Sequence, residues 1–260
     1  MNGIRKLFSR MHGRIREYTA EHGFTCDGCG AELFDYPKTR LCSACEQSLE
    51  KNDGKTCPKC GRKTLADGVC LSCKQELPKF TRAITPFVYR GETAGFVNRI
   101  KTGTPVLAYY FAEKAVDEFL AKYPQTEEFL AEKGETLLVI PVPLTKERKR
   151  ERGYNQAELL AEALCRRLRL KGYSAETDTE ILTKRRETLQ QKHMGRSERI
   201  ENVAGAYHVT KRKVCRGRTI LLIDDILTTG ATGSECAARL LSAGADEVIF
   251  LVCAALPEQK

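Results

Sequence analysis

The sequence is poor in aromatic residues, long apolar runs and export signals. It has no tryptophan and only 7% aromatic residues, so the base-stacking platforms common in single-strand-binding proteins are not evident. No apolar run approaches the roughly 20 residues that cross a bilayer. The basic N-terminal stretch also lacks the continuous apolar core of a secretory signal. These absences predict a cytoplasmic protein without a transmembrane segment.

Composition and charge indicate a soluble globular protein with a basic surface. The 260 residues include 43 lysines and arginines against 34 aspartates and glutamates, a net charge of +9, and 42% of the residues are hydrophobic. This composition argues against a disordered or fibrous chain, and the length suits one large domain or two small ones. Residues 1–25 form a basic arm with helical apolar spacing, which predicts an amphipathic helix. Such a helix docks on its own chain, the commoner case, or faces a membrane or nucleic acid.

Eight of the twelve cysteines are concentrated in residues 26–75, where all of them occur as C-x-x-C pairs. In a chain without an export signal, thiolates at this spacing favour metal ligation over disulfides. An iron–sulfur cluster also uses four thiolates, but its usual spacings include three closely grouped cysteines, which this sequence lacks. The pairs are Cys26/Cys29, Cys42/Cys45, Cys57/Cys60 and Cys70/Cys73.

An internal repeat favours one of the three ways to combine these four pairs. A shift of 31 residues places the first pair on the third, and a shift of 28 places the second on the fourth. Each copy opens with C-x-x-C-G, so Gly30 and Gly61 are predicted to have positive φ. We therefore predict a double zinc ribbon with two structural zinc ions, one bound by the first four cysteines and one by the last four.

After about residue 80 the sequence alternates buried-strand runs with amphipathic helices. Such alternation indicates a parallel sheet covered by helices on both faces. Residues 80–260 are therefore predicted to be one α/β domain, joined to the cysteine-rich segment by a linker at 78–80. The predicted strands are 84–89, 137–142, 219–223 and 247–253, and the predicted helices are 104–122, 156–170 and 233–242.

The most informative segment is TILLIDDILTTGAT, residues 219–232. A buried strand is followed by two carboxylates, Asp224 and Asp225, and by a turn of small residues that opens a helix. Backbone N–H groups of such a turn can bind an anion, and carboxylates accept hydrogen bonds from vicinal sugar hydroxyls. The segment predicts a ribose-phosphate ligand. A Walker B strand is the alternative, but no G-x-x-x-x-G-K-[ST] accompanies it.

Two further segments carry charge that suits a phosphate ligand. Residues 139–156, VIPVPLTKERKRERGYNQ, contain a basic cluster with Arg148 and Arg152. Guanidinium groups there could neutralise a pyrophosphate or nucleic-acid phosphates, whereas a solvated basic face is the alternative. Residues 184–203 include Arg186 and are too polar for a core segment, and long polar loops of this kind are often lids.

These motifs together resemble a known family. Residues 219–232 resemble the phosphoribosyl pyrophosphate (PRPP) motif of type I phosphoribosyltransferases. The order of C-x-x-C pairs, PVPL…RERGYNQ, R-x-T-x-x-Q…R-x-x-N-V and DDxxTTGAT is similar to that of the ComF family of late-competence proteins, from about residue 26 onward. Thr145 departs from the histidine expected after PVPL, and the doubled zinc module elaborates the family pattern. The third motif comprises Arg186, Thr188, Gln191, Arg199 and Asn202.

The resemblance implies a type I phosphoribosyltransferase-like domain that binds PRPP with Mg²⁺. By this resemblance Asp224 and Asp225 hold the ribose hydroxyls, and Arg148 and Arg152 meet the pyrophosphate. Asp225 and Arg186 are the implied catalytic residues. The turn that wraps the 5-phosphate consists of Thr228, Thr229, Gly230, Ala231 and Thr232.

Three functions remain open from the sequence. A magnesium-dependent transferase would displace pyrophosphate from PRPP, whereas a non-catalytic nucleic-acid-binding factor would retain the PRPP pocket. A nucleotide-salvage enzyme would need a base-recognition hood, part of which residues 84–101 could supply. The resemblance implies a role in DNA uptake during natural transformation, with single-stranded DNA and other uptake proteins as partners. Basic clusters at 146–152, 184–199 and 211–218 suit such phosphate partners, and we favour a phosphoribosyltransferase-type protein with a DNA-linked function.

Overall fold

The computed structural model describes residues 25–35, 40–124, 136–186 and 196–258. The basic arm predicted for residues 1–25 lies outside these ranges except for Thr25, and Thr188 and Gln191 also lie outside them. No helix within the four ranges is long and apolar enough to cross a membrane.

A parallel sheet forms the centre of the α/β part of the protein. In the described part of the chain it has six strands in the order β1–β8–β7–β3–β4, with β2 also paired to β8. All of these pairs are parallel, as predicted from the buried apolar runs. The strands are β1 (Arg82–Ile84), β2 (Phe87–Val88), β3 (Leu137–Pro141), β4 (Ala175–Thr177), β7 (Thr219–Leu227) and β8 (Glu247–Ala255).

Helices cover both faces of the sheet, which confirms the predicted fold class. A separate antiparallel pair is formed by β5 (Leu182–Lys184) and β6 (Tyr207–Val209). The longer helices are α3 (Gly91–Thr102), α4 (Leu107–Lys122), α6 (Gln156–Leu170), α7 (Arg196–Val203) and α9 (Ala231–Ser242). The shorter ones are α1 (Ser43–Ser48), α2 (Leu71–Gln75), α5 (Lys146–Arg152) and α8 (Arg212–Cys215).

Alternation along the strands divides the core into two layers. Leu221 and Ile223 of β7 belong to the layer that contains α4 and α6. Ile220 and Leu222 belong to the layer that contains α9. Cys26, Cys42 and Cys45 pack in the first layer and the last four cysteines of the C-x-x-C pairs in the second, so the two repeat copies contribute to opposite faces of the sheet.

Local sequence accounts for the best-predicted helix. Asn155 is the N-cap residue of α6, and its side-chain oxygen accepts a hydrogen bond of 3.0 Å from the N–H of Ala157. An N-cap asparagine satisfies one of the donors that the first turn leaves free. Leu160, Leu164 and Leu168 then recur every four residues and are buried. The helix therefore has the predicted bounds.

Two strand predictions need correction. The predicted strand 84–89 is interrupted between β1 and β2 by Thr85 and Pro86, because proline has no N–H for the ladder and the Thr85 side chain is hydrogen-bonded to Gly61. The predicted strand 219–223 continues to Leu227. It extends because β8 pairs with it as far as Ala255, so Asp224 and Asp225 lie within the strand.

Candidate functional site

The eight cysteines of the C-x-x-C pairs form two clusters of four. Within each cluster the sulfur atoms all lie within 4.8 Å of one another, and the grouping is the sequential one that the repeat predicted. Gly30 and Gly61 have φ of 79° and 69°, as predicted for the ends of the opening knuckles. The clusters are Cys26, Cys29, Cys42 and Cys45, and Cys57, Cys60, Cys70 and Cys73.

The geometry of both clusters fits zinc. Four thiolates at 2.3 Å from a tetrahedral ion lie about 3.8 Å from one another. The sulfur atoms of Cys29 and Cys42 are 3.7 Å apart, and those of Cys60 and Cys70 are 3.6 Å apart. The N–H of Cys42 also donates to the Cys26 sulfur at 3.1 Å. Both clusters can therefore hold a structural zinc ion with no ligand position left open.

The two clusters differ in their exposure and in their neighbours. Cys29 is exposed, whereas every cysteine of the second cluster is at most 5% exposed. The Nε of Arg62 donates to the Cys60 sulfur at 3.2 Å. The Nη2 of the same arginine donates to the carbonyl of Thr228 at 2.8 Å, so the second cluster is linked to the predicted phosphate turn.

Strands β3 and β7 meet where the strand order of the sheet reverses. From β3 the chain continues through α6 to β4 on one side, and from β7 it continues through α9 to β8 on the other. Ligands of open α/β sheets bind outside the carboxyl ends of the strands at such a switch point. The two ends are adjacent, because the N–H of Val142 donates to the carbonyl of Ile223 at 2.8 Å.

Asp224 and Asp225 occupy this carboxyl edge. The Oδ1 of Asp224 accepts a hydrogen bond of 2.9 Å from the N–H of Asp225. Burial raises the pKa of Asp224 well above its ordinary value, and the Asp225 carboxylate raises it further. Asp225 is 4% exposed and is ion-paired with Lys101 at the end of α3. The edge therefore contains one half-buried carboxyl group, one buried carboxylate and one cation.

The predicted phosphate turn, residues 228–232, opens α9. Gly230 is its N-cap residue and has φ of 85°, which glycine adopts without strain. Gly230 has no side chain to cap the helix, but the Thr229 hydroxyl accepts a hydrogen bond of 3.3 Å from the N–H of Ala231. The hydroxyl of Thr232 is hydrogen-bonded to Tyr207 of β6. N–H groups at a helix start form an anion site.

The loop after β3 places the basic cluster on the neighbouring strand end. Thr145 is buried and caps α5, with its hydroxyl accepting from the N–H of Arg148 at 3.3 Å. Its role here is therefore that of a helix cap. The Arg148 guanidinium lies 3.6 Å from Glu151, and that of Arg152 is hydrogen-bonded to Gln156. No residue of α5 is buried.

Arg186 is placed with different neighbours. It follows β5, and its Nη2 donates to the carbonyl of Ala204 at 2.8 Å. Nearby, the N–H of Gly205 donates to Glu235 of α9 at 2.8 Å. Among the described residues, the structure therefore links Arg186 to the junction of α7 and β6 and not to the two aspartates.

Lys101 and Arg62 were not identified from the sequence. Lys101 lies in an ordinary helix pattern, 124 positions before Asp225, and nothing local indicates that pairing. Arg62 had a usable signal, because it follows C-x-x-C-G in the second copy while the equivalent residue of the first copy is Ala31. A cation directly after C-x-x-C-G in one copy only is a difference between the copies that sequence comparison alone could have identified.

Comparison with known proteins identifies the family. No family model matches the chain. The chain is 31% identical over 212 residues to the competence protein ComFC of Streptococcus pneumoniae. The aligned region covers 80% of this chain and 84% of that protein. It is 28% identical to the DNA utilization protein YhgH of Shigella flexneri, over 83% of this chain and 91% of that protein.

A solved structure adds a weaker likeness. The glutamine PRPP amidotransferase from B. subtilis is 20% identical, with a TM-score of 0.32, over 55% of this chain and 26% of that chain. A likeness of this size carries no inference about activity. The relatives at 31% and 28% identity, together with the motif order and the two cysteine clusters, identify the family: the chain belongs to the ComFC family of competence proteins.

Proposed function

We propose that the chain binds PRPP at the carboxyl edge between β3 and β7, and that it uses this site in handling DNA during competence. One observation carries the proposal: Asp224 and Asp225 lie near the end of β7, and only Ile226 and Leu227 separate them from the turn that opens α9. Carboxylates suited to a sugar diol and N–H groups suited to a phosphate thus lie along one stretch of backbone.

The basic loop supplies the remaining charge that PRPP needs. The N–H of Val142 is hydrogen-bonded to Ile223, so the segment leading to α5 begins beside the two aspartates. Arg148 and Arg152 of α5 are then the groups we assign to the pyrophosphate, since a guanidinium donates two parallel hydrogen bonds to phosphate oxygens. Mg²⁺, if it accompanies the substrate, would neutralise part of the pyrophosphate charge beside these arginines.

The transferase form of the proposal is a displacement at the anomeric carbon. The bond from this carbon to the pyrophosphate oxygen breaks and its electron pair leaves with pyrophosphate, while a nucleophile forms a new bond to the carbon. Positive charge develops on the ribose, so the Asp225 carboxylate would stabilise it and the α5 arginines would stabilise the leaving group. A catalytic role for Arg186 rests on the motif alone.

The names of the relatives support the DNA part of the proposal. One is a competence protein and another a DNA utilization protein. In α5, five cations and two anions form a helix without a buried residue, which gives single-stranded DNA a set of phosphate contacts. The cluster at 211–218 is less available, because Lys211 is paired with Asp178 and Glu180, both at 2.9 Å.

Calorimetric titration with PRPP and Mg²⁺ tests the proposal. The Asp225→Asn variant should bind at least about tenfold more weakly than the wild type, the cost of one hydrogen bond to a charged group. Asp246→Asn is the matched control, because Asp246 is exposed and precedes β8 at the amino edge of the sheet. Wild-type protein that does not bind, or equal binding by Asp225→Asn, would contradict the assignment of this site.

A further inference from the structure

Arg62 joins the second cysteine cluster to the phosphate turn. Its guanidinium donates to the Cys60 sulfur at 3.2 Å and to the Thr228 carbonyl at 2.8 Å, and the residue is 6% exposed. A buried guanidinium is stable only where its charge and donors are matched. Four thiolates around Zn²⁺ carry a net charge of about −2, so a zinc-loaded cluster supplies the charge that Arg62 needs.

Further contacts hold the same copy of the repeat against α9 and the sheet. The N–H of Lys79 donates to the Ser234 hydroxyl of α9 at 3.0 Å. On the other side of the knuckle, the carbonyl of Gly61 accepts from both Asn52 and Thr85 at 2.7 Å. A Cβ on Gly61 would lie 2.7 Å from the Ala83 carbonyl. The second knuckle is therefore packed too closely on β1 to shift independently of the sheet.

The residues after β8 also hold the second copy of the repeat in place through hydrogen bonds. The carboxylate of Glu258 accepts from the N–H of Leu71 at 2.7 Å and from that of Leu65 at 3.3 Å. Leu71 begins α2, directly after Cys70. Cys60 and Cys73 then line a cavity of about 160 Å³ together with Gly230, Ala231 and Ser234. The second cluster and the phosphate turn are thus two walls of one cavity.

Among the residues that the structure describes, the first copy of the repeat has no such connection to the turn. The residue equivalent to Arg62 is Ala31, and the first cluster belongs to the opposite core layer. Arg40, which lies beside the first cluster, is paired with Asp27 at 3.2 Å and lies over the Tyr109 ring. The link to the turn is therefore specific to the second copy.

We propose that the second zinc site supports the phosphate turn, with Arg62 as the positioning residue that transmits metal occupancy to anion binding. Zinc bound to the second cluster would fix the Arg62 guanidinium, and Arg62 would fix the Thr228 carbonyl. The N–H groups of residues 229–232 would then be oriented before the ligand arrives, which lowers the cost of binding. Zinc in the first site would leave the turn unaffected. This inference rests on the proposed function for its ligand, but the order of the turn can be measured without one.

Two measurements on the full-length, zinc-loaded protein test the inference. The first is amide hydrogen exchange at residues 228–232 without ligand, and the second is titration with PRPP and Mg²⁺. Arg62→Lys keeps the charge, but its single nitrogen cannot reach both partners. We expect roughly tenfold faster exchange at the turn and roughly tenfold weaker binding. Arg62→Gln is a second variant that can keep one of the two hydrogen bonds, should the lysine variant not fold.

Controls come from the first copy. Arg40→Lys alters an arginine beside the first cluster, and Cys29→Ser removes a ligand of the first zinc. Both should leave exchange at 228–232 and the affinity for PRPP within about twofold of wild type. Metal analysis should find two zinc ions per chain in both Arg62 variants and in Arg40→Lys. This result would show that the loss of the arginine, and not the loss of a metal, causes the effect.

The outcomes separate this inference from the proposed function. Wild-type protein that fails to bind PRPP would contradict the proposed function, while the exchange comparison would still decide the role of Arg62. Unchanged exchange at the turn in both Arg62 variants would overturn the inference. If the wild type binds PRPP and both Arg62 variants bind it with the same affinity, the inference is also overturned. Effects of equal size in the first-copy variants would overturn it as well.

Discussion

The ammonium group of Lys101 contacts a carboxylate oxygen of Asp225, across 124 positions of sequence. The pair lies at the carboxyl edge of the sheet, with the Lys101 side chain 23% exposed and that of Asp225 6% exposed. Because the Asp225 carboxylate is buried, the pair cannot lose its lysine without leaving that charge poorly solvated. Lys101 therefore stabilises the edge at which we place the ribose.

Replacing Lys101 by methionine should destabilise the protein by about 1–3 kcal/mol at neutral pH, less than for a fully buried pair because the lysine is partly exposed. Burial acts to lower the pKa of Lys101, but the Asp225 carboxylate outweighs it and the pKa is raised. The stabilisation is thus present below the ordinary lysine pKa of 10.5 and lost as pH rises through the raised value. Urea unfolding between pH 7 and 11 should show the two proteins converging at the alkaline end.

A surface pair provides the control for this measurement. Lys122 lies four residues after Glu118 on α4 and pairs with it at the surface. Lys122→Met should cost less than about 0.5 kcal/mol, the usual value of such a pair. Equal losses in the two variants would mean that the Lys101–Asp225 pair has no special role.

Asp224 should limit the stability of the ligand-free protein. Its pKa is raised by burial and by Asp225, so the folded state retains a proton that the unfolded state releases above about pH 4. The free energy of unfolding therefore falls as pH rises from that value to the folded pKa. Asp224→Asn should remove this fall and raise neutral-pH stability by about 1.4 kcal/mol per unit of raised pKa. A gain for Asp224→Asn that persists at pH 3 would contradict this explanation.

Much of the fold follows from local sequence. The bounds of α6 were predictable because an N-cap asparagine precedes a stripe of leucines. The grouping of the cysteines was predictable because the repeat places C-x-x-C-G at the start of each copy. Both signals lie within a few residues of the feature they specify, so tertiary packing does not alter them.

The rest depends on partners that are distant in sequence. The end of β7 was placed four residues too early, because pairing with β8 and not local apolarity carries the strand to Leu227. The contacts of Asp225 with Lys101 and of Thr228 with Arg62 join segments 124 and 166 residues apart. The motif thus identified the carboxylates and the turn, whereas the groups that hold them required the structure.

The two zinc ions should leave the protein at different rates. Cys29 is exposed and Cys42 half-buried, whereas all four cysteines of the second cluster are buried. A colorimetric chelator should therefore remove one zinc per chain at least roughly tenfold faster than the other, since the second site needs local opening first. Cys29→Ser should abolish the fast phase alone. A single phase that releases both ions would contradict the difference in burial.

Binding of single-stranded DNA should depend on salt through α5. Lys146 and Arg150 are exposed on this helix and are not the arginines we assign to pyrophosphate. Because each phosphate contact contributes about 0.7 to the slope of log K against log salt for a single strand, the Lys146→Gln/Arg150→Gln variant should lower the slope by about 1.4. Fluorescence anisotropy with a labelled oligonucleotide at several salt concentrations measures this slope.

The Lys211→Gln/Arg212→Gln variant is the control. It removes the same amount of charge, but from cations that already contact Asp178, Glu180 and the Ser242 carbonyl, so its slope should stay near that of wild type. A slope that falls equally in both variants would indicate that DNA responds to net charge and not to this helix.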